Sequence, residues 1–68
     1  MNRDSKKLGE NIKRIRIEKN ITQLEIAKKI GVDKSFISNI ENAKTNPTLS
    51  TITSLSKALG VLTNELLK

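Results

Sequence analysis

Ser35, Ser38, Asn39 and Asn42 stand at spacings i, i+3, i+4 and i+7, which places them on one side of a helix. Lys34 flanks that side at its N-terminal end. A face that is merely solvated usually carries long Glu and Lys side chains, which are good helix formers. Ser and Asn are poor ones, so their concentration here calls for a reason. Asn and Lys donate hydrogen bonds to base edges in a major groove, and Ser serves either a base or a phosphate. Lys34, Ser35, Ser38 and Asn39 are therefore the candidate base-reading residues, and Asn42 a candidate phosphate contact. An ordinary exposed polar face is the alternative.

The residues before this helix set its angle. Thr22 and Glu25 fit a capping box at the start of a helix over Gln23–Ile30, with Ile21 and Ile26 spaced as a hydrophobic staple. Gly31 stops that helix, Asp33 suits the cap of the next, and Val32 with Ile37 repeats the staple. Two short helices joined by a tight turn result, the second spanning Lys34–Asn42. Thr22 and Gln23 lie where free backbone N–H groups and the helix dipole favour a phosphate. Gln23 is equally consistent with a plain exposed first-turn residue. Lys44 and Thr45, just past the second helix, are placed to hold adjacent backbone, and Asn46 reads as polar loop.

The rest of the chain supplies a support. Leu8, Ile12 and Ile15 form an apolar stripe on a helix from about Ser5 to Lys19, which leaves residues 1–4 as a flexible tail. Asn20 follows where a left-handed cap is wanted. Pro47 stops the third helix from running on. A fourth helix, capped by Thr48, carries Leu49, Ile52, Leu55 and Leu59 and ends at Gly60. A fifth, capped by Thr63, holds Leu66 and Leu67. Arg16 and Glu41 each sit at the edge of an apolar stripe, and two opposite charges facing one core are costly unless they meet. The two are expected to pair and to fasten the first helix to the third; independent snorkelling to solvent is the alternative. Phe36 lies off the Ile37/Ile40 stripe and is expected to pack against residues 43–49, with contact to a thymine methyl as the other option.

Composition bounds the function. The 68 residues suffice for one small all-α domain over 1–68, and a net charge of +6 implies a polyanionic partner. A single aromatic residue leaves no platform for stacking single-stranded bases. The absence of Cys and His excludes disulfides, Cys/His zinc sites and imidazole-based catalysis. With no glycine-rich phosphate loop and only isolated carboxylates, neither enzyme chemistry, a cofactor nor a small-molecule ligand is expected. There is no membrane-length apolar run and no signal-peptide hydrophobic region, so a cytoplasmic location is expected.

The pattern Thr22-Gln23, Ala27, Gly31-Val32-Asp33, Ile37-Ser38, Ile40-Glu41, followed by Pro47, Leu49 and Ala58-Leu59-Gly60-Val61, resembles the Cro/CI-type, lambda-repressor-like helix-turn-helix family, also called the XRE family. The resemblance runs from about Leu8 to Leu67. It implies a compact five-helix fold, double-stranded operator DNA and a two-fold homodimer. By position, it implies that Gln23 contacts a phosphate and braces the recognition helix, and that Lys34, Ser35 and Asn39 read bases. Asn42 and the backbone of Lys44–Thr45 would hold phosphates, Arg16 and Glu41 would form an ion pair, and Ala27 would let the motif helices approach. Two departures stand out. Ala43 replaces a usual Gly, so Asn42 is expected to take the left-handed cap, and Asn20 replaces another Gly.

The sequence ends with the fifth helix, as in small stand-alone members such as phage repressors and restriction–modification controllers. The dimer surface is expected on that helix and its approach, at Val61, Leu62, Leu66 and Leu67, the alternative being that Leu66 packs internally. The function implied is a transcription regulator, acting as a repressor on a near-palindromic site. An antitoxin-type interaction module that also binds its own promoter is the competing reading.

Overall fold

The apolar stripe of Leu8, Ile12 and Ile15 is buried along a first helix that runs longer than its periodicity suggests. A computed structural model describes residues 3–68 as five helices: α1 (Arg3–Glu18), α2 (Gln23–Ile30), α3 (Lys34–Glu41), α4 (Leu49–Leu59) and α5 (Thr63–Leu67). Helix α1 therefore takes in Arg3 and Asp4, two residues of the expected tail, with Asp4 placed favourably at the positive end of the helix dipole. Met1 and Asn2 lie outside the described residues. Helices α2 and α3 pack on each other; α1 lies against α3 and α5, and α4 against α2 and α5. Ile12, Ile26, Ile37, Ile40, Leu55, Leu59 and Leu66 meet at the centre, fully buried.

Four of the five helices stop in the same way. A residue with positive φ follows, and two backbone N–H groups fold back onto the last carbonyls. Asn20 (φ 57°), Gly31 (φ 75°) and Gly60 (φ 73°) do this after α1, α2 and α4. After α3 the left-handed residue is Ala43 (φ 58°), not Asn42, whose φ is −94°. The expected substitution of Asn42 for the missing glycine does not occur, because Ala43 N–H reaches the Ile40 carbonyl at 3.1 Å and Lys44 N–H the Asn39 carbonyl at 2.8 Å. The bonds fix which residue must turn, and Ala43 carries the strain.

Other details differ from the pattern. Leu49 does not belong to the buried stripe of α4 and is 69% exposed. Thr63 is the first residue of α5 rather than its cap. Leu62 precedes the helix, and Glu65 Oε2 accepts its N–H at 3.3 Å. The Thr63 hydroxyl instead pairs with buried Ser56 at 3.1 Å, joining α5 to α4. Asp33 occupies the cap position of α3 without a side-chain bond.

Two contacts of α1 decide where α3 and α5 sit. Gly9 lies against the C-terminal end of α3, where a β-carbon would stand 2.5 Å from the Ile40 carbonyl oxygen and 2.6 Å from that of Glu41. Only glycine permits that approach. On the opposite edge, Asn11 Nδ2 donates to the carbonyls of Leu66 and Lys68, both at 3.0 Å, and satisfies the end of α5.

Candidate nucleic-acid interface

The capping box is formed as the sequence requires. Thr22 Oγ1 accepts from Glu25 N–H at 3.0 Å, and Glu25 Oε1 accepts from Thr22 N–H at 2.9 Å. Those hydrogen bonds hold the Glu25 carboxyl below its ordinary pKa, with Lys29 adding to the shift. Ile21 packs on the core that contains Ile26, and Val32 on the core that contains Ile37, so both motif helices enter the fold at fixed angles. Ala27 is buried between them.

A second set of bonds secures the far end of α3. The buried Glu41 carboxylate accepts from Arg16 Nε at 2.7 Å, from Arg16 Nη2 at 3.2 Å and from Gln23 Nε2 at 3.0 Å. Arg16 Nη1 reaches on to the Ile21 carbonyl at 2.8 Å. One carboxylate thus joins α1, the start of α2 and the last turn of α3. Gln23 is half-buried, and its side-chain amide gives one hydrogen bond to Glu41. This is the bracing contact; the phosphate contact expected of Gln23 would use the N–H groups at the start of α2 or the second amide hydrogen.

With its last turn held, α3 exposes Lys34, Ser35 and Asn39, while Ser38 is half-buried. Asn42 Nδ2 donates to Ser38 Oγ at 3.3 Å, so these two candidates form one polar pair rather than separate contacts. Helix α3 has no acidic residue in its first turn, unlike α1 and α2, and Lys34 adds a cation at the end the dipole already makes positive. That placement costs helix stability and suits an anionic ligand. Lys44 and Thr45 are exposed beyond Ala43. Phe36 is half-buried and packs against the central core. Thr22, Gln23 and Lys34 line one groove and Ser38 is paired with Asn42, whereas the residues marked for the dimer are split between surface and core. Leu66 has no exposed surface and is core, which removes it from any subunit interface. Leu62 (70% exposed) and Leu67 remain on the surface, with Val61 half-buried beside them.

Gly9, Asn11 and the bond from Ser5 to Asn46 are supports that sequence reasoning missed. A glycine well inside a helical pattern was their one visible sign, since it costs helix stability unless something passes close by.

A helix-turn-helix family model matches residues 12–66. The chain belongs to that helix-turn-helix family. Among curated helix-turn-helix relatives, the immunity repressor protein of Bacillus phage phi105 is 39% identical over 54 residues, covering 79% of this chain and 38% of the phage protein. An HTH-type transcriptional regulator of Sinorhizobium fredii is 41% identical over 59 residues, covering 85% of this chain and 77% of its own length. This chain thus spans well under half of the first relative and about three-quarters of the second. Among solved structures, the restriction-modification controller protein C.AhdI from Aeromonas hydrophila superposes with a TM-score of 0.90 at 29% identity, over 96% of this chain and 98% of that one. A second controller protein, solved as a tetramer in complex with its natural 35 base-pair operator, matches over the full length of both chains at 32% identity and a TM-score of 0.85. The five-helix, lambda-repressor-like fold and the Cro/CI-like character of the motif are those of DNA-binding transcription regulators, not of enzymes. Among the described residues, no helix is long and apolar enough to cross a membrane.

Proposed function

We propose that the chain is a repressor that binds a near-palindromic operator as a homodimer, with α3 in the major groove. The observation that carries this reading is the exposed face of Lys34, Ser35 and Asn39 on a helix whose last turn is anchored to α1 and α2 through Glu41. Base reading needs short donors and acceptors on a support that does not yield. In this reading Lys34, Ser35, Ser38 and Asn39 contact base edges. Thr22, the backbone at Gln23, Asn42, Lys44 and Thr45 hold phosphates on either side.

The dimer uses Leu62 and Leu67 with Val61, the apolar side chains left uncovered around α5. Two recognition helices about 34 Å apart would then meet successive major grooves on one face of the duplex. The operator-bound controller protein, alike over its whole length, supports this arrangement.

Selection from a pool of random duplexes at stated salt, read by sequencing, tests the proposal. The expected product is a two-fold symmetric motif with half-sites centred about 10 base pairs apart. An unenriched pool, or a single asymmetric half-site bound by monomer in sedimentation, overturns it.

A further inference from the structure

Seven of the thirteen Lys and Arg residues fall between positions 3 and 19, whereas the helix-turn-helix carries Lys28 and Lys29 at the far end of α2 and only Lys34 on α3, with Lys44 flanking it. The charge that implies a polyanion is therefore mostly outside the motif that reads it. Helix α1 distributes its exposed cations on two flanks. At 3.6 residues per turn, Lys6 and Lys13 lie about 40–60° around the helix from Gly9, and Lys7 and Arg14 lie about 40–60° from Asn11. Gly9 abuts the end of α3, and Asn11 holds α5. Lys6 and Lys13 therefore border the recognition helix, and Lys7 and Arg14 border α5.

The two flanks differ in what their charges do. Arg14 is tied to Glu18 at 3.5 Å and to Asn11 Oδ1 at 3.4 Å. Lys6 and Lys13 are exposed, and among the described residues neither makes an ion pair, even with Glu10 between them. At one end of their row, the Ser5–Asn46 bond holds α1 to the loop that carries Lys44. At the other end Ile17 opens onto a groove lined by Thr22, Gln23 and Lys34. The row thus spans the gap between the two proposed phosphate clusters.

We propose that Lys6 and Lys13 form a third phosphate-binding segment, which lays the α1 flank along the DNA backbone and adds affinity without adding sequence preference. The inference rests on the DNA reading above. Flexible ammonium groups suit a line of phosphates, which they meet as point charges.

The test is the slope of log affinity against log salt for the dimer, on a duplex selected as above and on an unrelated duplex. Lys6→Gln with Lys13→Gln should flatten the slope on both duplexes by about 0.9 for each lysine that touches phosphate, up to about 3.6 for four lysines in a dimer. The ratio of the two affinities should not change. Lys29→Gln with Lys57→Gln, a pair that lies together between α2 and α4, removes the same charge elsewhere and should leave the slope within about 0.9 of the wild type. All four residues are exposed, so both variants should melt with the wild type. A steep wild-type slope that the Lys6/Lys13 variant changes no more than its control overturns this inference alone. A flat wild-type response overturns the DNA reading and this inference with it.

Discussion

Arg16 grips Glu41 through two nitrogens across 25 residues of sequence, with 12% of the arginine side chain and 1% of the carboxylate side chain exposed. The carboxylate is shut off from bulk solvent and accepts a third hydrogen bond from Gln23. Removing the arginine leaves a charge buried without its counter-ion, which is more costly than never having buried it. Arg16→Ala should lose about 3–5 kcal/mol in urea unfolding, comparable to the whole stability of a domain this small. A loss under about half a kcal/mol, the range of ordinary surface changes, would reject this account of the pair.

Gly9 offers a test with a sign. In an exposed helix interior, Gly→Ala stabilises by about 1 kcal/mol. Here the added carbon meets backbone of α3 at 2.5 Å, and backbone cannot swing aside as a side chain does. Gly9→Ala should therefore destabilise by about 1–3 kcal/mol, the range for overpacked cores. A raised melting temperature would show that α1 and α3 can part without loss.

Ala43 should respond in the opposite sense. Holding a non-glycine residue in the left-handed region costs roughly 1–2 kcal/mol, and Ala43 has φ 58°. Its methyl is buried, and losing it gives back up to about 0.8 kcal/mol. With the looser unfolded chain also set against the relieved strain, Ala43→Gly should still gain up to about 1 kcal/mol by thermal unfolding. An equal or lower stability would mean that the methyl matters more than the strain.

Much of this was legible in the sequence, for reasons that differ by residue. The Thr22–Glu25 box, the stripe of Leu8, Ile12 and Ile15, and the turns at Asn20, Gly31 and Gly60 depend on neighbours within one helical turn, so spacing alone reveals them. The Arg16–Glu41 pair was visible because charge beside an apolar stripe needs a partner and few were on offer. Leu49 was misplaced, and Leu66 took the alternative of internal packing, because spacing gives a face but not what covers it: Leu49 is left 69% exposed, whereas Leu66 joins the central core. Gly9 and Asn11 were missed because their partners lie at least 31 residues away, where periodicity carries no signal.

The Glu25 carboxyl predicts a pH dependence. Its folded pKa is lowered by bonds from Thr22 that the unfolded chain lacks. The stability it contributes is therefore complete above its ordinary pKa and is lost as pH falls through the lower folded value. Glu25→Gln should flatten the fall of melting temperature in that acid range while leaving the neutral range nearly parallel to wild type. An unchanged acid slope would mean the box holds as well with a protonated carboxyl.

Asn39 and Lys44 separate base reading from backbone holding. Asn39 is exposed on the polar face of α3, and its amide can donate and accept toward one base edge. Lys44 follows the left-handed turn, outside that face, and offers a point charge. Asn39→Ala should cost about 1–3 kcal/mol on the selected duplex, far less on unrelated DNA, and relax preference at one position of each half-site. Lys44→Ala should weaken both duplexes alike and flatten the salt slope by about 1 for each protomer. Competition binding of each variant against both duplexes measures the two effects together. If Asn39→Ala left the preference profile intact, or if Lys44→Ala altered it, the division of labour along α3 and its exit would be wrong, because only a group that touches a base edge can change which base is chosen.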